Sequence, residues 1–210
     1  MQILNNFSLV KDNIARLSSK TRLIVVTKNQ QFDNINLLIK ANHSDFGENR
    51  VQDALLKWKN LISINPKLKL HLIGKLQSNK AKDAFEIFHY IHTLDNEKLA
   101  KIFAKLENNS QKKIKYFIQV NIGDEPQKNG ISKQEVNFFV KYCIHDLRLN
   151  IIGLMCIPPN DSNPSQYFKN LAEFAVKNNL NELSMGMSND YKCAIECGAT
   201  YVRVGSKIFS

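Results

Sequence analysis

Short apolar segments and segments with helical periodicity alternate along the whole chain. Eight apolar runs have the length of strands, and they span residues 23–28, 44–48, 70–74, 90–94, 116–121, 151–157, 182–185 and 201–204. Between them, apolar residues recur at i, i+3, i+4 and i+7, as in Val51, Ala54, Leu55 and Trp58, which predicts amphipathic helices. A further helix is predicted before the first strand, because residues 3, 7, 10, 14 and 17 are apolar.

Regular alternation of this kind is typical of a parallel β-sheet, which is either closed into a (β/α)8 barrel or left open and doubly wound. Continuous apolar strands such as LIVV at 23–26 fit burial on both faces of the sheet. No Gly-x-Gly-x-x-Gly motif follows the first strand, which favours the barrel over an open dinucleotide-binding sheet. We therefore predict one α/β domain over residues 1–210, a TIM barrel with an extra N-terminal helix.

Composition and charge narrow the possible functions. The 210 residues include 29 Lys and Arg against 19 Asp and Glu, a net charge of +10. Such an excess raises nucleic acid as a partner, but the lysines are scattered through predicted helices, as on a solvated outer face. No apolar run reaches the roughly 18–20 residues of a membrane helix, and no secretory signal pattern opens the chain. We expect a cytoplasmic protein that binds neither membranes nor nucleic acid.

Cysteines and histidines do not indicate a metal site. The four cysteines form no CxxC pair, so we expect reduced thiols with a structural role. His89 and His92 lie in one predicted strand, and their spacing of three directs them to opposite faces. No ladder of cysteine and histidine has zinc spacing.

The end of the first strand carries a candidate nucleophile, Lys28. Functional groups of TIM barrels come from the carboxyl ends of strands and the loops that follow. A charged lysine is costly to bury at such a position, so we expect Lys28 to be neutral, paired or covalently bound. A neutral amine attacks aldehydes, which makes Lys28 a candidate for Schiff-base chemistry. The alternative is a lysine that simply reaches solvent.

The loops after the last two strands resemble a phosphate-binding cup. TIM barrels commonly bind phosphate there, with backbone N–H groups and a helix N-terminus. Ser188 is placed to cap the following helix and to donate its hydroxyl, Gly205 allows an anion close to the backbone, and Ser206 supplies another donor. The alternatives are an ordinary N-cap and an ordinary turn. An aldehyde-reactive lysine opposite a phosphate cup indicates pyridoxal 5′-phosphate (PLP).

The same segments resemble the pyridoxal phosphate homeostasis proteins, and the resemblance covers nearly the whole chain in order. The motifs that carry it are VVTK (25–28), FGENRVQDALLK (46–57), HLIGKLQSNK (71–80), IHTLDNEKLA (91–100), IQVNIGDEPQKNGI (118–131), GLMCIPP (153–159) and LSMGMSNDYKCAIECGATYVRVGSKIF (183–209). It implies a barrel similar to the N-terminal domain of alanine racemases, with PLP held as an internal aldimine on Lys28.

The resemblance also implies roles for the other site residues. Ser188, Gly205 and Ser206 would hold the phosphate, Arg203 would face the pyridine nitrogen, and Asn49 would line the ring pocket. Further residues lie in family-like loops around the same rim without an assigned role: Arg50, Gln77, Asn79, Lys80, Glu125 and Lys128.

The residues also bear on the choice between an enzyme and a carrier. Arg203 stays protonated and would keep the pyridine nitrogen unprotonated, which makes PLP a poor electron sink. Related racemases draw a second base, a tyrosine, from a separate C-terminal domain, whereas this sequence ends at residue 210. We therefore expect a monomeric protein without strong catalytic activity that buffers PLP or delivers it to PLP-dependent client enzymes. The alternatives are a weak PLP-dependent racemase or lyase, and a basic module that binds nucleic acid or another acidic partner.

Overall fold

The computed structural model describes residues 2–160 and 163–210, and within them the eight predicted strands form a closed parallel barrel. Each strand pairs with its neighbour in the chain, and β1 pairs with β8 to close the sheet. The predicted TIM barrel is thus confirmed. The strands are β1 Arg22–Val26, β2 Asp45–Glu48, β3 Lys69–Leu72, β4 Tyr90–Leu94, β5 Lys115–Gln119, β6 Ile151–Met155, β7 Glu182–Met187 and β8 Tyr201–Val204.

Helices surround the barrel and cover the outward faces of its strands. In the described part of the chain they are α1 Gln2–Leu17, α2 Phe32–Lys40, α3 Val51–Ile64, α4 Ala81–Ile87, α5 Glu97–Asn108, α6 Val136–Lys141, α7 Pro164–Lys177, α8 Tyr191–Glu196 and α9 Ser206–Phe209. A short 3₁₀ turn precedes α4, and a wider π turn follows α6. None of the described helices is long and apolar enough to cross a membrane.

The N-terminal helix α1 completes the outer ring of helices. The helix after β8, α9, has a single turn, and α1 packs against α9, α8 and α2. The apolar stripe of α1 is buried, as the periodicity predicts, and consists of Phe7, Val10 and Ile14. The Asn6 amide donates to the carbonyl of Ser210 at 2.9 Å, so side-chain hydrogen bonds also hold α1 to α9. The predicted extra helix thus covers the gap that the short α9 leaves.

Local sequence signals explain where the helices begin and end. Asn96 is the N-cap of α5, where its side-chain oxygen accepts the backbone N–H of Leu99 at 3.0 Å. Gly198 follows α8 with a φ of 95°, a left-handed conformation that only glycine adopts without strain.

The core has two layers, one between barrel and helices and one inside the barrel. The outer layer contains the largest buried rings, including Phe46, Trp58 and Phe103. The inner layer is a separate cluster of apolar side chains: Ile24, Tyr90, Phe117, Met155 and Tyr201. Buried polar side chains share the barrel interior with this inner cluster, namely His71, His92, Ser184 and Arg203. They connect the core to the candidate site.

Candidate functional site

All six residues that the sequence nominates come from four neighbouring strands, β7, β8, β1 and β2, and from the loops after them. The carboxyl ends of these strands form one sector of the barrel mouth, the face on which TIM barrels bind ligands. In chain order the residues are Lys28, Asn49, Ser188, Arg203, Gly205 and Ser206.

Lys28 lies beyond its strand and not at its end. β1 ends at Val26, Thr27 is fully buried, and Lys28 is exposed. The expected burial of this lysine is therefore wrong, because the loop carries its side chain into solvent. Within the described residues Lys28 makes no hydrogen bond or ion pair, so its amine is accessible to a ligand at the mouth.

Four buried or half-buried residues hold the backbone just before Lys28, and we call them the Thr27 clamp: Thr27, Glu48, Lys57 and Trp58. Glu48 Oε1 accepts hydrogen bonds from Thr27 Oγ1 at 2.7 Å and from Trp58 Nε1 at 3.0 Å. Lys57 Nζ lies 2.6 Å from the same oxygen and donates to the carbonyl of Thr27 at 2.8 Å. The sequence reasoning missed this clamp, although a glutamate ending a buried strand was a signal for it.

The loops after β7 and β8 meet at Ser188 and Gly205. The Gly205 N–H donates to Ser188 Oγ at 3.4 Å, and a Cβ on Gly205 would lie 3.0 Å from the carbonyl oxygen of Val26. A glycine here lets the loop after β8 approach Val26 of β1 closely, and the first N–H groups of α9, which begins at Ser206, have no partner within that helix. Hydroxyl and backbone donors therefore converge at this point.

Ser188 does not cap the following helix, contrary to the sequence-based expectation. Helix α8 begins at Tyr191 with Asp190 as its N-cap, and an Asp190 carboxylate oxygen accepts the N–H of Met187 at 2.6 Å. β7 extends to Met187, two residues beyond the predicted strand, and the helix begins later, so Asp190 takes the capping position. This leaves the Ser188 hydroxyl beside Gly205.

Arg203 lies inside the barrel below the mouth and is 3% exposed. Its guanidinium donates to Ser184 Oγ at 2.7 Å and to the carbonyl of Cys156 at 2.9 Å. Burial lowers the pKa of Arg203, but an arginine remains protonated in proteins. Burial raises the pKa of the Cys156 thiol to about 12, so that thiol is protonated and unreactive. Among the described residues, no carboxylate forms an ion pair with Arg203.

Asn49 lines a cavity of about 310 Å³ next to this sector, together with Arg50, Gln77 and Lys80 of the nominated rim. The rim residues Glu125 and Lys128 form an ion pair of 2.5 Å in the loop after β5. Neither the mouth nor the rest of the described chain contains a cluster of three histidine, cysteine or acidic side chains that could hold a metal ion.

Comparisons with known proteins agree with the geometry. The family model of the alanine racemase N-terminal domain matches residues 2–210. The pyridoxal phosphate homeostasis protein of Pasteurella multocida is 34% identical over 218 residues, which cover 99% of this chain and 94% of the relative.

Solved structures show the same barrel. PipY of Synechococcus elongatus PCC7942 superposes with a TM-score of 0.92 without PLP and 0.88 with PLP bound; the two chains are 33% and 32% identical to this one, and coverage is 100% in both directions. The alanine racemase of Corynebacterium glutamicum, with 13% identity and a TM-score of 0.74, shares the fold over 99% of this chain and 60% of its own.

Proposed function

The chain belongs to the pyridoxal phosphate homeostasis proteins, a family built on the alanine racemase N-terminal domain, and on that premise we propose that it binds PLP and maintains its supply. The family resemblance derived from the sequence motifs is thereby confirmed. The observation that carries the proposal is the likeness to PipY with PLP bound, which extends over the full length of both chains.

The residues at the mouth fit this cofactor. PLP supplies an aldehyde that condenses with a lysine amine with loss of water, and a phosphate that needs several hydrogen-bond donors. The Lys28 amine is exposed and unpaired within the described chain, and the Thr27 clamp holds the backbone that carries it. We assign the phosphate to Ser188, Gly205 and Ser206, because the Ser188 hydroxyl and the first N–H groups of α9 meet at this point. Asn49 would border the ring.

The surroundings of Arg203 support a carrier without strong catalytic activity of its own. An arginine only donates hydrogen bonds, so at the pyridine nitrogen it would keep that nitrogen unprotonated. A racemase also needs a second base, and the tyrosine nearest the phosphate loop, Tyr191, is 2% exposed on α8. These observations favour holding and releasing PLP over removing a proton from an amino acid.

Spectroscopy and mapping test the binding site. Titration of the protein with PLP should produce an absorbance band that borohydride fixes onto a single peptide containing Lys28. The Lys28→Ala variant should lack the band, whereas Lys75→Ala, which removes another exposed lysine at the rim, should retain it. A colourless wild-type protein would overturn the proposed function, and an adduct on another lysine would overturn the assignment of Lys28.

Two further assays separate a carrier from the alternatives. If the protein delivers PLP, the loaded form should activate the apo form of a PLP-dependent enzyme, and a free-PLP trap should not abolish that activation. A racemase or lyase would instead exchange the α-proton of amino acids with solvent faster than free PLP does. Exchange above the free-PLP rate would refute the carrier assignment.

A further inference from the structure

A line of polar side chains crosses the barrel interior, where TIM barrels ordinarily bury branched apolar residues. Arg203 Nη1 lies 2.7 Å from Ser184 Oγ, which lies 2.8 Å from His92 Nδ1. His92 Nε2 lies 3.0 Å from His71 Nδ1, and His71 Nε2 lies 3.1 Å from an Asp45 carboxylate oxygen. We call these five residues the interior relay. The four between the mouth and Asp45 are at most 3% exposed.

Hydrogen-bond chemistry gives the relay a single direction. Burial alone would raise the pKa of Asp45, but interactions with His71 and Ser44 lower it, so the carboxylate accepts a hydrogen bond from the N–H at His71 Nε2. Burial lowers the pKa of both His71 and His92, so each ring is neutral and carries one N–H. His71 Nδ1 must then accept from His92 Nε2, and His92 Nδ1 must accept from the Ser184 hydroxyl.

The hydrogen bond between Arg203 and Ser184 runs in the same direction. The Ser184 hydroxyl donates a hydrogen bond to His92 Nδ1 and accepts one from Arg203, which can only donate. Every bond therefore runs from the guanidinium to the carboxylate, and both rings carry their proton on Nε2. Stacking holds the ring planes, with His71 4.2 Å from the Tyr90 ring and His92 4.3 Å from Phe117, centroid to centroid.

The two ends of the relay lie at opposite ends of the barrel. Arg203 lies below the mouth, whereas Asp45 begins β2 and borders a cavity of about 290 Å³ beside α1. Asp45 is thus the last acceptor of a chain of hydrogen bonds that starts at the buried guanidinium, and three side chains separate the two residues. A substitution at Asp45 leaves every group at the mouth chemically unchanged.

We propose that Asp45, His71, His92 and Ser184 are positioning residues that hold the Arg203 guanidinium in one orientation for the ligand at the mouth. This inference rests on the proposed PLP site. A polar network that is fully satisfied in a buried setting fixes one arrangement of its members, whereas a break leaves a buried donor or acceptor unpaired. The relay therefore links ligand affinity at the mouth to a carboxylate at the opposite end.

The protein without PLP tests the relay itself. Long-range ¹H–¹⁵N spectra of the imidazoles at neutral pH should show a neutral ring with its proton on Nε2 for both His71 and His92. The Ser184→Ala variant should shift the Nδ1 resonance of His92, because that nitrogen loses its donor. A proton on Nδ1 of either ring, or a charged ring, would overturn the relay whether or not PLP binds.

PLP titrations test the positioning role. We expect Ser184→Ala to raise the apparent Kd for PLP about tenfold, or about 1.4 kcal/mol, and Asp45→Ala to raise it several-fold from the far end. Asp45→Asn keeps an acceptor oxygen for His71 and should restore most of the affinity. Thr93→Val is the matched control, since it removes a buried hydroxyl that bonds the carbonyl of Gly74 at 2.8 Å outside the relay.

The outcomes distinguish a failure of the positioning role from a failure of the proposed PLP-binding function. If wild type binds PLP and Asp45→Ala binds equally well, the positioning role is wrong and the PLP site stands. If Asp45→Ala and Thr93→Val lower the melting temperature alike and leave the Kd unchanged, the relay is structural only and the inference fails. If wild type does not bind PLP, the proposed function fails, whatever the tautomers are.

Discussion

Removing the cation of the Thr27 clamp should destabilise the protein strongly. Lys57 Nζ contacts two acceptors, Glu48 Oε1 at 2.6 Å and the Thr27 carbonyl at 2.8 Å. The Lys57→Met substitution keeps an unbranched apolar side chain of similar length but removes the ammonium group, so both contacts are lost. The Glu48 carboxyl group, which is 1% exposed, would then keep only the neutral donors of Thr27 and Trp58.

The geometry sets the size of the effect. At 2.6 Å and an effective dielectric constant of about 20, two unit charges attract by about 6 kcal/mol before desolvation is subtracted. Removing one partner of a buried pair costs about 3–5 kcal/mol, and the lower value applies because the Lys57 side chain is 20% exposed. We therefore expect Lys57→Met to lower the free energy of unfolding by about 3 kcal/mol.

Urea denaturation measures this effect directly. Trp58 is the single tryptophan of the chain and belongs to the clamp, so its fluorescence and the far-UV circular dichroism should report one transition. Adding Glu48→Gln to Lys57→Met should recover about 1–2 kcal/mol, because the unpaired charge disappears. Lys59→Met, an exposed lysine of the same helix, is the control. A loss below about 1 kcal/mol for Lys57→Met, or strict additivity in the double variant, would refute this account of the clamp.

Three other changes have defined outcomes. Burial lowers the pKa of His43 from an ordinary 6.5 to about 4, so between these pH values the unfolded state binds a proton that the folded state does not, and stability falls as pH falls. Urea denaturation should therefore show about 2 kcal/mol less stability at pH 5.0 than at pH 7.5, and a flat profile would contradict this. Gly205→Ala places a methyl group 3.0 Å from the Val26 carbonyl and should weaken PLP binding and lower the melting temperature, whereas unchanged titrations would remove Gly205 from the site. Glu107 Oε1 accepts the Ile114 N–H at 3.0 Å and the Tyr116 hydroxyl at 2.9 Å, and Glu107→Gln replaces this carboxylate with an amide that also donates. Calorimetry should show a loss of about 1–3 kcal/mol in the free energy of unfolding, and wild-type stability would exclude a structural role for the carboxylate.

The barrel was predictable because its strands are buried on both faces. Runs such as LIVV at 23–26 and IIGLM at 151–155 leave no polar face for solvent, and the helical stripes between them place each helix on the outside. The residues at which the strands end were harder to predict from this pattern. Thr27 and Lys28 directly follow the apolar run of β1, but a turn that begins at Thr27, closed by the Gln30 N–H on the Thr27 carbonyl at 3.1 Å, carries Lys28 away from the sheet.

Much of the site was nominated from the motifs, whereas the groups that support it were not. His71, His92 and Ser184 are polar residues within apolar strands, and periodicity alone treats such residues as exceptions. The available signal was that all three occupy interior positions of strands that must be buried. Their partnership depends on which strands face one another across the barrel, and the sequence of each strand alone does not contain that information.

The contact between α1 and α9 has a consequence for the order in which the chain can fold. The barrel closes where Arg22 of β1 pairs with Tyr201 of β8, two residues at nearly opposite ends of the sequence. Pairing such distant segments costs loop-closure entropy, which slows folding. The side chain of Gln2 donates to the carbonyl of Ser210 at 3.2 Å, so a short peptide could join these two positions and new termini could be opened in a loop elsewhere. In such a circular permutant the closing seam becomes a local contact, so folding should accelerate while the barrel contacts stay the same.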